Sequence, residues 1–111
     1  MLKLLSLLIP LSITIAAAGA ARAEDTSIEL AGIGSRTCAY WLSARDHKSE
    51  GTVWIYGFWS GLNYVAVSSQ QDQSKATTAA MIAAVEAVCR REPSRVLASA
   101  VWSAYIDLNK K

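Results

Sequence analysis

Thr52-Val-Trp-Ile-Tyr-Gly-Phe-Trp-Ser-Gly-Leu-Asn-Tyr-Val-Ala-Val-Ser-Ser69 is the stretch that decides the fold. Its large side chains do not alternate as a strand's would; apolar residues recur at three and four, the helical period. Val53, Trp54, Ile55, Phe58, Trp59, Leu62 and Val65 fall almost all round the axis of such a helix. A helix apolar on every side is predicted to lie centrally, with neighbours on several sides. Gly57 and Gly61 stand one turn apart on one face. Mid-helix glycine costs about 1 kcal/mol against alanine, so the pair is expected to be a packing notch for another helix or ring. A membrane-type dimerisation face is disfavoured, because polar Ser60 and Asn63 interrupt the segment.

Working outward, the same period predicts an all-α chain of four helices, with a core spanning about residues 35–109. The first covers about 36–45, with Ser35 as its N-cap, and places Cys38, Trp41, Leu42 and Arg45 on one face. The polar run Asp46-His-Lys-Ser-Glu-Gly51 breaks the pattern and reads as a loop. The decisive helix follows, about 52–69. Residues 70–75 are polar, without an apolar period, and read as an exposed connection. Thr77 or Thr78 caps the third helix, which ends near Arg91 and buries Met81, Ile82, Val85, Val88 and Cys89. Pro93 suits the first position of a fourth helix, running to about Asn109 with Val96, Leu97, Ala100, Val101, Ala104, Tyr105 and Leu108 inward. Residues 24–33 read either as a frayed tail or as a short lead-in helix interrupted by Gly32 and Gly34.

The N-terminus carries a different signal. Met1-Leu-Lys, an apolar run from Leu4 to Ala18, and Ala21-Arg-Ala23 before Glu24 have the form of a secretory signal peptide. Cleavage after Ala23 is preferred over cleavage after Ala20, because it opens the mature chain on acidic Glu24-Asp25. No cysteine near the site offers a lipid attachment point, and the apolar run is shorter than the ~20 residues a membrane span needs. The expected product is one domain, residues 24–111, exported to the periplasm in preference to full secretion, with no stable membrane insertion. In an oxidising compartment the only two cysteines, Cys38 and Cys89, are expected to form a disulfide. A domain this small often needs such a staple.

Cleavage also changes the charge. The full chain has 11 basic and 9 acidic residues; removing Lys3 and Arg22 leaves nine of each, a formal net charge of zero. Nucleic-acid binding needs a concentrated basic surface, and the sequence offers only Arg90-Arg91, Arg95 and the terminal lysines.

No catalytic constellation emerges. The single histidine, His47, sits among polar residues and reads as a solvated side chain. Two cysteines 51 positions apart and one histidine do not make a closed metal site. There is no phosphate-cradling glycine loop and no nucleophile elbow. The expectation is a protein that is not an enzyme and holds neither metal nor cofactor. The nine aromatic rings are many for one small domain. Most fill the core, but Trp and Tyr also dominate binding hot spots. Tyr56 and Trp59, both large rings on this helix, are the candidate binding aromatics, with at least one expected to face outward.

The leader, the early helical Cys38, the Trp54-x-x-Gly57-x-x-x-Gly61 helix, Cys89 about fifty residues on and a last amphipathic helix together resemble the HdeA/HdeB-like small periplasmic proteins. That resemblance implies an acid-stress chaperone, folded as a homodimer near neutral pH, that loosens in acid and holds unfolding clients. Protonating nine carboxylates would carry the mature chain from zero to roughly +10 with His47 charged. The Cys89-x-x-x-Pro93 corner and its Ala-rich last helix also resemble the Rap1a/Tai type of immunity protein, which implies docking on one exported toxin. A third reading is a small exported domain with a structural or other binding role. In the first two the partner is a protein.

Overall fold

The structure, a computed structural model, describes residues 27–110. The expected leader and both cleavage sites lie outside the described residues. The described chain is all-α: a 3-10 turn at Gly32–Ser35, then α1 (Cys38–Leu42), α2 (Arg45–Ser68), α3 (Thr78–Arg91) and α4 (Leu97–Leu108). The only strand-like pairing among the described residues is one antiparallel bridge between Thr37 and Val96. Four helices are as expected, but the division between the first two is not.

The predicted first helix shrinks to Cys38–Leu42. Its N-cap is Thr37, whose Oγ1 accepts from the Tyr40 amide at 3.1 Å; the Ser35 hydroxyl turns back to the Gly32 carbonyl instead. The first amides of a helix have no partner inside it. Here the Cys38 and Ala39 amides donate to the Arg95 and Pro93 carbonyls at 2.7 and 2.8 Å. That use of the corner explains a second correction. Pro93 does not open α4; it lies in a turn closed by the Arg95 amide on the Glu92 carbonyl at 3.0 Å, Val96 is extended, and the Leu97 amide donates to Arg36 O at 2.8 Å.

The predicted loop at 46–51 is the start of α2, entered after an extended Ala44. Its polar residues face solvent, while Lys48 reaches inward, pairing with Glu86 of α3 and lying 4.6 Å over the Trp41 ring. The Lys48 carbonyl accepts from both Trp41 Nε1 and Thr52 Oγ1. Gly51, which looked like a breaker, is a slot. A Cβ there would stand 2.1 Å from Trp41 Cδ1, so the missing side chain is what lets the indole lie against the helix.

The core gathers around the disulfide. Trp41, Ile55, Trp59, Val85, Leu97, Ala100 and Val101 are wholly buried with Cys38 and Cys89. The two cysteines are bonded, with Cα atoms 5.0 Å apart across a separation of 51 residues. In the chain-entropy account a loop of that size stabilises by about 4 kcal/mol. The bridge ties α1 to the last turn of α3, and the short corner lays α4 along α3. The third helix keeps its predicted limits, with Thr77 Oγ1 accepting from the Ala80 amide.

The decisive helix is not central. Only Gly51, Ile55 and Trp59 of α2 are buried; Val53, Tyr64, Val65 and Val67 are exposed. Among the described residues, nothing lies within 4 Å of where a Cβ on Gly57 or Gly61 would be. The notch they were expected to make for another helix is empty there, because the described neighbours of α2 pack on the side of Gly51, Ile55 and Trp59. The glycines that rings do press on are Gly51 and Gly34.

Candidate functional site

The segment ahead of the 3-10 turn is pinned in place by Trp54. Its Nε1 donates to the Ala31 carbonyl at 2.8 Å, and its ring lies so close to Gly34 that a Cβ there would be 2.0 Å from Cζ2. Ile33 is buried beside it, so the part of the lead-in that is described, residues 27–33, is an extended segment ending in an anchored 3-10 turn; residues 24–26 lie outside the described residues. Trp54 stacks on Phe58, with ring centroids 5.0 Å apart. These contacts hold Ile28, Leu30 and Phe58 as one wall of a groove. The start of α4 supplies the other: Val96, Ala98, Ser99 and Trp102. The groove encloses about 610 Å³, and none of its lining residues carries a charge.

Trp102 stands half exposed at the rim, and Ile28 is 81% exposed. The Trp102 ring is nearly parallel to Tyr105, 10° between planes at 6.4 Å. Beside the wall, Arg95 is held by Glu92, Ser99 and Ser103, so its charge is spoken for and the Ser99 hydroxyl is already an acceptor. The groove therefore has apolar surface to offer and little hydrogen bonding. Covering a side chain such as Trp102 contributes about 2 kcal/mol.

Tyr56 does face outward, 36% exposed, but away from the groove. Trp59 is a correction: it is wholly buried, edge-on to Tyr105 at 5.1 Å, and offers no binding surface. It falls one helical turn after Ile55 and so shares the inward face; its Nε1 has no hydrogen-bond partner among the described residues. His47 is neither in a loop nor free. Its ring stacks on Tyr40 at 3.9 Å, and the Arg36 guanidinium lies 3.9 Å over the same Tyr40 ring. Two groups so close to one ring must take opposite faces, so Tyr40 is sandwiched. His47 Nδ1 is 3.2 Å from the Tyr40 carbonyl and 3.0 Å from Ser43 Oγ. The histidine thus locks the α1–α2 junction. Among the described residues no three His, Cys, Asp or Glu side chains cluster as metal ligands, and no helix is long and apolar enough to cross a membrane.

Three features went unread in the sequence. Trp102 lies off the stripe of Leu97, Val101, Ala104 and Tyr105, and that offset was a signal that it points out. Ile28 and Leu30 carried no period. Asn63, read as an interruption, holds the 70–77 connection: Oδ1 accepts from the Ser74 amide and the Tyr105 hydroxyl, both at 2.9 Å, and Nδ2 donates to the Ser74 carbonyl.

Fold and groove together define a class: a small disulfide-stapled all-α domain with an uncharged cleft open to solvent. Compared with protein-family models, curated proteins and solved structures, the chain matches none.

Proposed function

We propose that this is an exported, non-enzymatic binding protein that holds apolar segments of other polypeptides, acting as a periplasmic acid-stress chaperone of the HdeA/HdeB-like kind. The observation that carries the reading is the uncharged groove between the Ile28–Leu30 wall and Trp102. Apolar surface without fixed hydrogen-bond donors suits clients of many sequences, since hydrophobic burial is non-directional. The staple suits the acid element: the Cys38–Cys89 bridge would hold a loosened chain together.

Acid titration of the oxidised protein, with suppression of client aggregation measured in the same samples, tests it. Expected are loss of near-ultraviolet Trp signal and binding of a hydrophobic dye as pH falls toward about 3, with helix retained. Trp102→Ser should weaken client protection. Unchanged tertiary signal in acid rejects the chaperone role. One feature favours the alternative, an immunity-type inhibitor: the groove is already open in the compact fold, as a preformed docking surface requires. That reading expects one exported partner captured at neutral pH and a fold indifferent to acid.

A further inference from the structure

The groove wall ahead of the 3-10 turn offers main chain as well as apolar side chains. Ile28 and Leu30 line the groove, while Glu29 between them does not. That alternation is the period of an extended strand. Among the described residues, no backbone amide or carbonyl of Ile28, Glu29 or Leu30 makes a hydrogen bond. In an extended chain the polar groups of successive residues point to opposite edges. The Ala31 carbonyl accepts from Trp54 Nε1 of α2, so Glu29 shares the edge turned toward that helix. Ile28 and Leu30 present their amides and carbonyls on the other edge, unpaired. An apolar face and an open row of donors and acceptors thus run along one segment. We propose that this segment receives an extended polypeptide as an added strand, one with large apolar side chains at alternate positions and a lysine or arginine between them. The inference rests on the groove being the binding site of the proposed function, and it names what enters.

The chemistry of the occupant follows from the segment's edge and its two faces. An added strand bonds through its main chain, which every sequence has, and is selected by its alternate side chains. Its residues i and i+2 lie over the groove beside Ile28 and Leu30. There they cover Ile28 and the open half of Trp102, which are 81% and 50% exposed. Residue i+1 falls on the other face, next to Glu29. Glu29 is exposed and forms no ion pair among the described residues. Opposite charges facing each other across two strands attract, and like charges repel, so a cation belongs there. On the groove side no lining residue is charged, and Arg95 beside it is held by Glu92 and Ser103. The 27–31 run of a second copy is the poorer occupant, because antiparallel pairing sets Glu29 against Glu29.

The test uses the full oxidised chain and blocked octapeptides. One alternates valine with lysine and one valine with glutamate. Two more are the valine–lysine peptide N-methylated on its valine amides or on its lysine amides. Saturation with the valine–lysine peptide should slow hydrogen exchange at the Ile28 and Leu30 amides by about tenfold or more. Only one edge of an added strand pairs, so one methylated form should bind about tenfold more weakly and the other about as well as the parent. Glu29→Lys, a change at an exposed position, should weaken the valine–lysine peptide about threefold and strengthen the valine–glutamate peptide. Binding that Trp102→Ser weakens, but that neither methylated form nor Glu29→Lys alters, overturns the added strand while sparing the apolar groove. No binding at millimolar peptide overturns it as well, and client protection in acid then decides the chaperone reading on its own. Slowed exchange at Ile28 and Leu30 that rises with protein concentration alone would give the edge to a second copy and overturn the proposal.

Discussion

The opening turns of α2 and its outward face are one continuous helix under two regimes. At the start, Gly51 is buried under Trp41 with no room for a single added carbon. Further along, Gly57 and Gly61 meet open space. The residue type is the same, and the physical reason for it is different. A glycine inside a helix signals that something comes close; only the fold says whether that something belongs to the same chain. At Gly51 and Gly34 the visitor is an indole of this chain. At Gly57 and Gly61 no described residue comes within 4 Å.

The contrast can be broken or sharpened by substitution. The largest effect is expected from Cys38→Ala with Cys89→Ala, which frees the loop and should lower stability by about 4 kcal/mol in denaturant unfolding. If this double variant loses less than a quarter of that, the staple is not what keeps the Trp41 side of α2 packed. Gly51→Ala comes next. Its new Cβ overlaps Trp41, and overpacking of a tight core costs about 3 kcal/mol; a near-neutral melting shift would mean the slot is loose. Asn63→Ala removes the partner of Ser74 and Tyr105 and should cost about 2 kcal/mol, with faster proteolysis in the 70–77 connection. The smallest effect has the opposite sign: Gly61→Ala should raise monomer stability by up to about 1 kcal/mol, read under conditions where the protein is monomeric. A loss there would place an unseen neighbour at that face within the chain.

How much was legible follows from where each signal lives. Most of the α3 and α4 stripes was readable because a helix packed on one side writes its period into the sequence; Val96 and Leu108, expected inward at the two ends of α4, are exposed because no described neighbour covers those ends. The α3 cap was readable because Thr77 acts on its own next turn. The start of α2 was not. Asp46 to Gly51 is polar and ends in glycine, and what makes it helical is Trp41, whose ring needs that glycine and whose Nε1 needs the Lys48 carbonyl. The Pro93 corner misled for a similar reason, its carbonyls being claimed by amides more than fifty residues earlier. For the candidate site, Tyr56 and Trp59 were both candidates with at least one expected outward; Tyr56 is 36% exposed and Trp59 is core. The groove itself joins an aperiodic N-terminal segment to a residue off the stripe of α4, and no local pattern joins two such stretches.

Joining Cys38 to Cys89 closes a ring of chain, 51 positions round, that contains the whole of α2. A protease that cuts once anywhere inside that ring leaves two pieces still tethered by sulfur, and only a reductant would part them.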